Sequence, residues 1–94
     1  MASNSHIISY KFEDTLYLRV IGDFDEGSAH ELINSLTKHG TGSEDIFIDT
    51  NNLGAIHLYG RDVFKNNFSS IKKTLKNLII IGAKKHQFEK DLEN

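Results

Sequence analysis

The chain has 94 residues, of which 38% are hydrophobic, with a formal net charge of −2 and no cysteine. This length can bury one modest hydrophobic core, so we predict a single domain. The near-neutral charge gives no general attraction to nucleic acid or to anionic membranes, and the lack of cysteine excludes disulfide and thiol chemistry.

The ends of the chain carry no recognisable targeting pattern. No apolar run approaches the roughly 18 residues that a membrane-spanning helix needs, and the first residues lack the charged and apolar regions of a signal peptide. We therefore expect residues 1–5 to form a disordered lead and residues 6–94 to form the domain. The expected setting is the cytoplasm, without membrane insertion.

Two short alternating segments open the domain. In residues 7–12, Ile8, Tyr10 and Phe12 fall on one face of a strand, and residues 15–21 repeat the alternation. The two-residue connection between them favours an antiparallel hairpin.

A helix is predicted next, because Ala29, Leu32, Ile33 and Leu36 share helical spacing. Ser28 and Glu31 match a capping box, and Asp25 or Asp23 could cap the helix earlier. Gly40 suits the position after its end.

The second half of the chain alternates strands and helices. We predict a strand over residues 46–49, a turn over residues 50–54, and a helix from residues 58–60 to about 76. Residues 77–81 form a continuous apolar run, which favours a strand that is buried on both faces and is central or parallel in a sheet. A last helix over residues 83–92 would pack through Phe88 and Leu92. The order ββαβαβα predicts a small mixed α/β sheet, with an antiparallel first hairpin and parallel later strands, packed by about three helices.

Signatures of catalysis and of metal binding are missing. The histidines show no metal-ligand spacing, and no phosphate-binding glycine loop occurs. The acidic residues that follow the second strand are explained by helix capping. The basic residues of the second half lack interleaved aromatics, so nucleic-acid binding is not expected. We predict no catalytic residue, no metal and no cofactor.

Two segments resemble STAS domains, the family of sulfate transporters and anti-sigma-factor antagonists. Residues 18–36, LRVIGDFDEGSAHELINSL, resemble the strand–Gly-acidic–helix opening of that family, and residues 46–64, IFIDTNNLGAIHLYGRDVF, resemble its second hallmark. The final NLIIIG run and terminal helix are similar to the last strand and helix of a STAS domain. The resemblance covers about residues 10–88. It implies a STAS-like fold and a non-enzymatic role as a protein-interaction module.

The family's phosphorylation box is altered in this chain. Its Asp-Ser-Ser-Gly sequence falls on His57, Leu58, Tyr59 and Gly60, so Tyr59 stands at the phosphoacceptor-equivalent position. A tyrosine hydroxyl lies much farther from its Cα than a serine hydroxyl does. The resemblance therefore does not extend to serine phosphorylation at this box, and His57 is a poorer N-cap than the aspartate it replaces.

The preferred hypothesis is a partner-binding site at this box. Tyr59 would be an amphipathic anchor, while the alternative is that it only covers the edge of the core. The resemblance implies an anti-sigma-type kinase or other regulator in a bacterial partner-switching pathway, or the ATPase subunit of a lipid-transport ABC system. The predicted partner-binding residues are His57, Leu58, Tyr59, Gly60, Arg61, Asp62, Lys65, Asp23 and Asp25.

Two other hypotheses stay open from the sequence. A phosphorylation switch could have moved to Ser69 or Ser70 on the second predicted helix. A small-molecule binder or enzyme could use His57 with Asp25 or Asp49, although no complete nucleophile, base and orienting group is evident. The oligomeric state is left open.

Overall fold

The computed structural model describes residues 6–90, so the predicted lead over residues 1–5 lies outside the described residues. Within these residues, five strands and three helices follow one another along the chain. In order, they are β1 (His6–Phe12), β2 (Thr15–Phe24), α1 (Glu26–His39), a 3-10 turn (Gly40–Gly42), β3 (Asp45–Asp49), β4 (Leu53–Ile56), α2 (Leu58–Thr74), β5 (Asn77–Ile81) and α3 (Lys85–Glu89).

The strands form one mixed sheet in the order β1-β2-β3-β5. β1 is antiparallel to β2, whereas β3 is parallel to β2 and β5 is parallel to β3. β4 pairs in parallel with the far end of β2, beside a bulge between Gly22 and Phe24. The predicted α/β fold, with an antiparallel hairpin followed by parallel strands, is confirmed.

One face of the sheet carries the hydrophobic core. Leu18, Ile48 and Ile80 are paired side by side across three strands and are buried. They belong to one cluster with the apolar stripes of α1 and α2 and with Phe88 of α3. Phe24 contacts Phe64 at 6.1 Å and Phe88 at 5.0 Å between ring centroids, both edge to face. These aromatic contacts fix α2 and α3 against the end of β2.

A strand that was not predicted, β4, begins within the turn predicted over residues 50–54. β4 occupies Leu53–Ile56, and β2 extends three residues beyond the predicted end at Ile21 in order to pair with it. Four residues give too few alternations to reveal a strand, and the partner of β4 lies some thirty residues earlier in the chain. The pairing therefore depends on tertiary contacts that a local pattern cannot show.

The capping box of α1 is formed by Asp25 and Ser28, three residues before the predicted box of Ser28 and Glu31. Asp25 is the N-cap, and its carboxylate accepts a hydrogen bond from the backbone N–H of Ser28 at 2.9 Å. Ser28 stands at the third helical position, and its hydroxyl accepts from the Asp25 N–H at 3.4 Å. The prediction of Asp25 as an earlier cap is confirmed, and the Ser28–Glu31 box is wrong because Ser28 is inside the helix.

The predicted two-sided burial of β5 is wrong. β5 is the last strand in the order, only its residue Ile80 is buried, and Ile79 and Ile81 on the other face are half-buried. Its predicted parallel pairing is confirmed. The final helix is shorter than expected, and its predicted contact through Leu92 lies outside the described residues. Phe88 packs into the core as expected.

Candidate partner-binding site at the start of α2

The start of α2 is attached directly to the end of β2. His57 is the N-cap residue of the helix, and its backbone N–H donates to the Phe24 carbonyl at 2.9 Å. The His57 carbonyl in turn accepts from the N–H of Arg61 at 3.0 Å, which closes the first helical turn. The backbone of this junction is therefore held by one hydrogen bond to the end of β2 and by another within α2 itself.

Gly60 is required by the close approach of two backbones. A Cβ at this position would lie 2.6 Å from the carbonyl oxygens of both Phe24 and Asp25. Any other residue would push α2 away from the β2–α1 connection. This contact gives a physical reason for the one residue that the chain shares with the STAS box.

The two residues before Gly60 point into solvent. The residue exposures are 58% for Leu58 and 74% for Tyr59. Tyr59 therefore does not cover the edge of the core, which was the alternative to a binding role. Two adjacent exposed apolar residues on a fixed helix start form a small raised patch that another protein could cover.

Asp23 joins this patch, whereas Asp25 is used elsewhere. The Asp23 carboxylate accepts from the Ala55 N–H at 2.9 Å through Oδ1, and its Oδ2 lies 3.8 Å from Nε2 of His57. The Asp25 carboxylate caps α1 and meets the site only through its backbone beside Gly60. Asp62 is exposed on the first turns of α2, and Arg61 and Lys65 are half-buried there.

Asp49 contacts a different set of side chains. Its carboxylate accepts hydrogen bonds from the Tyr17 hydroxyl and, at 2.9 Å, from the Asn51 N–H, and Nε of Arg19 lies 3.6 Å away. Burial alone would raise the pKa of Asp49, but these hydrogen bonds and the nearby guanidinium outweigh it and hold the pKa below its ordinary value. The acidic contact of His57 is thus Asp23, and not Asp25 or Asp49 as the small-molecule hypothesis supposed.

Thr50, Asn51 and Lys84 support the loops around β4 through hydrogen bonds that the sequence did not reveal. The Thr50 hydroxyl donates to the Ile81 carbonyl at 2.8 Å, and the Asn51 side chain accepts from the Ala83 N–H at 2.8 Å. Nζ of Lys84 donates to the Gly54 carbonyl at 3.0 Å. Together they connect the loop after β3 to the loop after β5 and so hold β4 and the α2 junction in place. Gly82, with φ of +110°, was the available signal, because it marks a tight turn there.

Two general features complete the description of residues 6–90. No cluster of three or more potential metal ligands occurs in this part of the chain. None of its helices is both long enough and apolar enough to cross a membrane.

Ser69 and Ser70 are exposed on α2, and their phosphorylation stays a prediction.

The fold is shared with solved structures of low sequence identity. No family model and no curated protein matches the chain. An uncharacterized protein of the DUF3478 family with a SpoIIAA-like fold, from Shewanella loihica PV-4, is similar with a TM-score of 0.65 and 21% identity over 93% of this chain and 75% of that one. The anti-sigma factor antagonist SpoIIAA in its unphosphorylated form is similar with a TM-score of 0.55 and 10% identity, covering 80% of this chain and 71% of that one. The chain therefore has a SpoIIAA-like, STAS-like fold.

The same fold also matches part of a longer protein, Mglu. The TM-score is 0.71 with 16% identity, and the match covers 81% of this chain. The chain spans only 19% of the length of that Mglu chain. This fold thus occurs both as most of a small protein and as a part of a larger one.

Proposed function

We propose that this domain is a non-enzymatic protein-interaction module that binds a protein partner through the start of α2. The observation that carries the proposal is the exposure of Leu58 and Tyr59, at 58% and 74%, on a helix start that backbone contacts hold in place. Aromatic side chains are enriched among the residues that dominate binding energy at interfaces. A rigid mount reduces the ordering cost of binding.

The charged residues around the patch would set the orientation of the partner. Asp62 is exposed and Arg61 and Lys65 are half-buried on the same helix, and Asp23 stands beside His57. Rim charges of both signs affect specificity and the rate of association more than the affinity. We therefore assign the affinity to Leu58 and Tyr59, and the register to the surrounding charges.

For the partner, we propose a regulator of partner-switching type, such as an anti-sigma-type kinase. The support is the fold shared with SpoIIAA, which is named an anti-sigma factor antagonist. Because Tyr59 and not serine precedes Gly60, a serine-directed kinase would find no acceptor there, and binding would not be switched off by serine phosphorylation at this position.

The test is capture of partners from native lysate with Tyr59→Ala and with a matched control, Phe12→Ala. The exposed fraction of both residues is 74%, and Phe12 lies on the sheet. If Tyr59 is an anchor worth about 2 kcal/mol, its loss should weaken the captured complex roughly 30-fold. The melting temperature of the Tyr59→Ala variant should stay close to that of the unmodified protein.

The control should retain the partner. Retention of the partner by Tyr59→Ala, or its loss only with Phe12→Ala, would contradict the proposal. Identification of an ABC ATPase as the captured protein would keep the binding role and replace the proposed partner.

A further inference from the structure

The outer face of the sheet, opposite the core, carries a row of apolar side chains across all four main strands. Strand pairing aligns Tyr10 with Tyr17, Tyr17 with Phe47, and Phe47 with Ile79. We call these four residues the aromatic row. The rings of Tyr10 and Tyr17 lie 6.2 Å apart, so the row is continuous at that end.

Two further rows flank the aromatic row. On one side, Ile8 is aligned with Arg19, Arg19 with Asp49, and Asp49 with Ile81. On the other side, Phe12 is aligned with Thr15, Thr15 with Asp45, and Asp45 with Asn77. The centre of the outer face is thus apolar, with the Arg19–Asp49 ion pair at one border and Asp45 and Asn77 at the other.

This face has the sequence pattern of a covered surface. β5 carries apolar residues on both faces, a pattern typical of strands that are buried on both sides, and β3 adds Phe47 between Asp45 and Asp49 on the outer face. Within residues 6–90, however, the helices pack on the core face, where the hydrophobic cluster lies. Tyr10 remains 57% exposed and Phe12 74% exposed. An exposed apolar face of this kind marks an interaction surface.

We propose that a second copy of this chain covers the outer face, so that two sheets pack face to face about a twofold axis. The axis would lie in the interface between the two sheets. It would run parallel to the strands, over the gap between β2 and β3. This surface is distinct from the start of α2, so the inference goes beyond the proposed function and does not depend on it.

The charges of the outer face are compatible with this arrangement. A twofold axis between β2 and β3 exchanges the two strands, so that Arg19 of each copy stands over Asp49 of the other. Nε of Arg19 lies 3.6 Å from the Asp49 carboxylate of its own chain, and the Arg19 side chain is 40% exposed whereas that of Asp49 is 4% exposed, so each pair would face the other copy through Arg19. Dimerisation would therefore bring together a neutral group of two guanidinium ions and two carboxylates at this border, while Asp45 at the opposite border keeps its hydrogen bond from Asn77 at 3.0 Å.

The same axis matches the apolar groups. Tyr17 of one copy would stand over Phe47 of the other, and Tyr10 over Ile79, because the aromatic row maps onto itself with its order reversed. Face-to-face sheets pack about 10 Å apart, which leaves room for one interdigitated layer of side chains. Both halves of the row are thereby removed from water.

The available area is near the lower limit for a specific dimer. Tyr10 and Phe12, at 57% and 74% exposure, together offer roughly 250 Å² if each full aromatic side chain has about 200 Å². With the half-buried members of the three rows, each copy offers on the order of 500 Å², and two copies would bury about 1,000 Å². Interfaces of this size are typical of weak, transient complexes, so we expect a reversible dimer with a dissociation constant in the micromolar range or weaker.

Sedimentation velocity over a concentration series tests the proposal. The unmodified chain should shift from monomer to dimer as its concentration rises, and the double variant Tyr10→Ser, Phe12→Ser should raise the dissociation constant at least about tenfold. Tyr59→Ser, with the same 74% exposure as Phe12, should leave the dissociation constant unchanged. Circular dichroism would verify that each variant is folded.

Cross-linking tests the position of the axis, because the natural chain has no cysteine. Thr15 lies on β2 beside the proposed axis, so Thr15→Cys should be joined to its counterpart by a bis-maleimide of about 10 Å reach. Ser70→Cys, exposed on α2, should not be joined.

Three results would overturn the proposal. The first is a monomer at concentrations up to about 500 µM, far above the expected dissociation constant. The second is cross-linking through Ser70→Cys and not through Thr15→Cys. The third is a monomeric chain that captures a different protein through Tyr10 and Phe12, which would assign the outer face to another partner.

Discussion

The start of α2 and the outer face of the sheet each expose an aromatic residue to the same extent. Tyr59 and Phe12 are both 74% exposed. Tyr59 follows the exposed Leu58 on a helix start that is held by backbone contacts, whereas Phe12 borders an aromatic row that crosses four strands. The first surface suits a small anchor that enters a pocket of a partner, and the second suits a broad, matching surface. Equal exposure of one residue therefore does not identify the kind of interface.

The largest expected effect comes from disrupting the backbone contact that holds the start of α2 against the β2–α1 connection. Gly60→Ala should lower the free energy of unfolding by about 2–3 kcal/mol, because the added Cβ would lie 2.6 Å from two backbone carbonyl oxygens. Helix propensity alone predicts the opposite sign, a gain of up to about 1 kcal/mol. Urea unfolding would measure the change.

Gly27→Ala is the matched control for this substitution. Gly27 also lies in the first turn of a helix, but its Cβ would be 3.5 Å from Asp25 Oδ1, an ordinary contact. We expect this variant to be stabilised by about 0.5–1 kcal/mol. Equal effects of the two substitutions would show that the contact of α2 with the β2–α1 connection is loose, and would weaken the comparison.

The sequence allowed the first surface to be located but not the second. The resemblance of residues 46–64 to the second STAS hallmark identified the junction, since a backbone contact at Gly60 leaves a glycine at a fixed place in the chain. β4 was missed because its four residues pair with a distant part of β2. The outer face was missed because the apolar run of β5 was interpreted as burial by this chain itself. A sequence records which residues avoid water, but it does not record which molecule covers them.

The next expected effect concerns the border of the outer face. Asp49→Asn should lower the free energy of unfolding at pH 7 by about 1–3 kcal/mol, because a neutral amide cannot accept from both Tyr17 and Asn51 and leaves Arg19 without its carboxylate. Asp45→Asn, whose carboxylate accepts from Asn77 at 3.0 Å, is the control and should cost less. Urea unfolding at pH 7 would separate the two variants.

The pH dependence gives a second measurement on the same residue. Because folding lowers the pKa of Asp49, its charge stabilises the fold fully above the unfolded-state pKa of about 3.9, and this contribution is lost as the pH falls through the lower, folded-state pKa. The unmodified chain should therefore lose stability between about pH 5 and pH 2 more steeply than Asp49→Asn does. Parallel curves for the two proteins would contradict the assigned role of this carboxylate.

The smallest expected effect is a gain of stability at the first surface. His57 is the N-cap of α2 but makes no side-chain capping hydrogen bond, and its contact with Asp23 is at 3.8 Å between exposed groups. His57→Ser should raise the free energy of unfolding by about 0.5–1 kcal/mol, because serine can accept a hydrogen bond from the free N–H groups of the first turn. The lost contact with Asp23 should cost little at such exposure. Removal of the working cap of α1 by Asp25→Ala should change stability by a similar amount in the opposite direction.

Partner capture by the same variant then tests why histidine occupies this position. If His57→Ser stabilises the fold and weakens partner binding, the helix start has given up a cap in favour of contact with the partner, as binding sites often do. If the variant is destabilised, His57 supports α2 through Asp23, and the start of α2 is more dependent on its side chains than its backbone contacts indicate. In that case the start of α2 and the outer face of the sheet would differ in their area, and no longer in how firmly the backbone holds them.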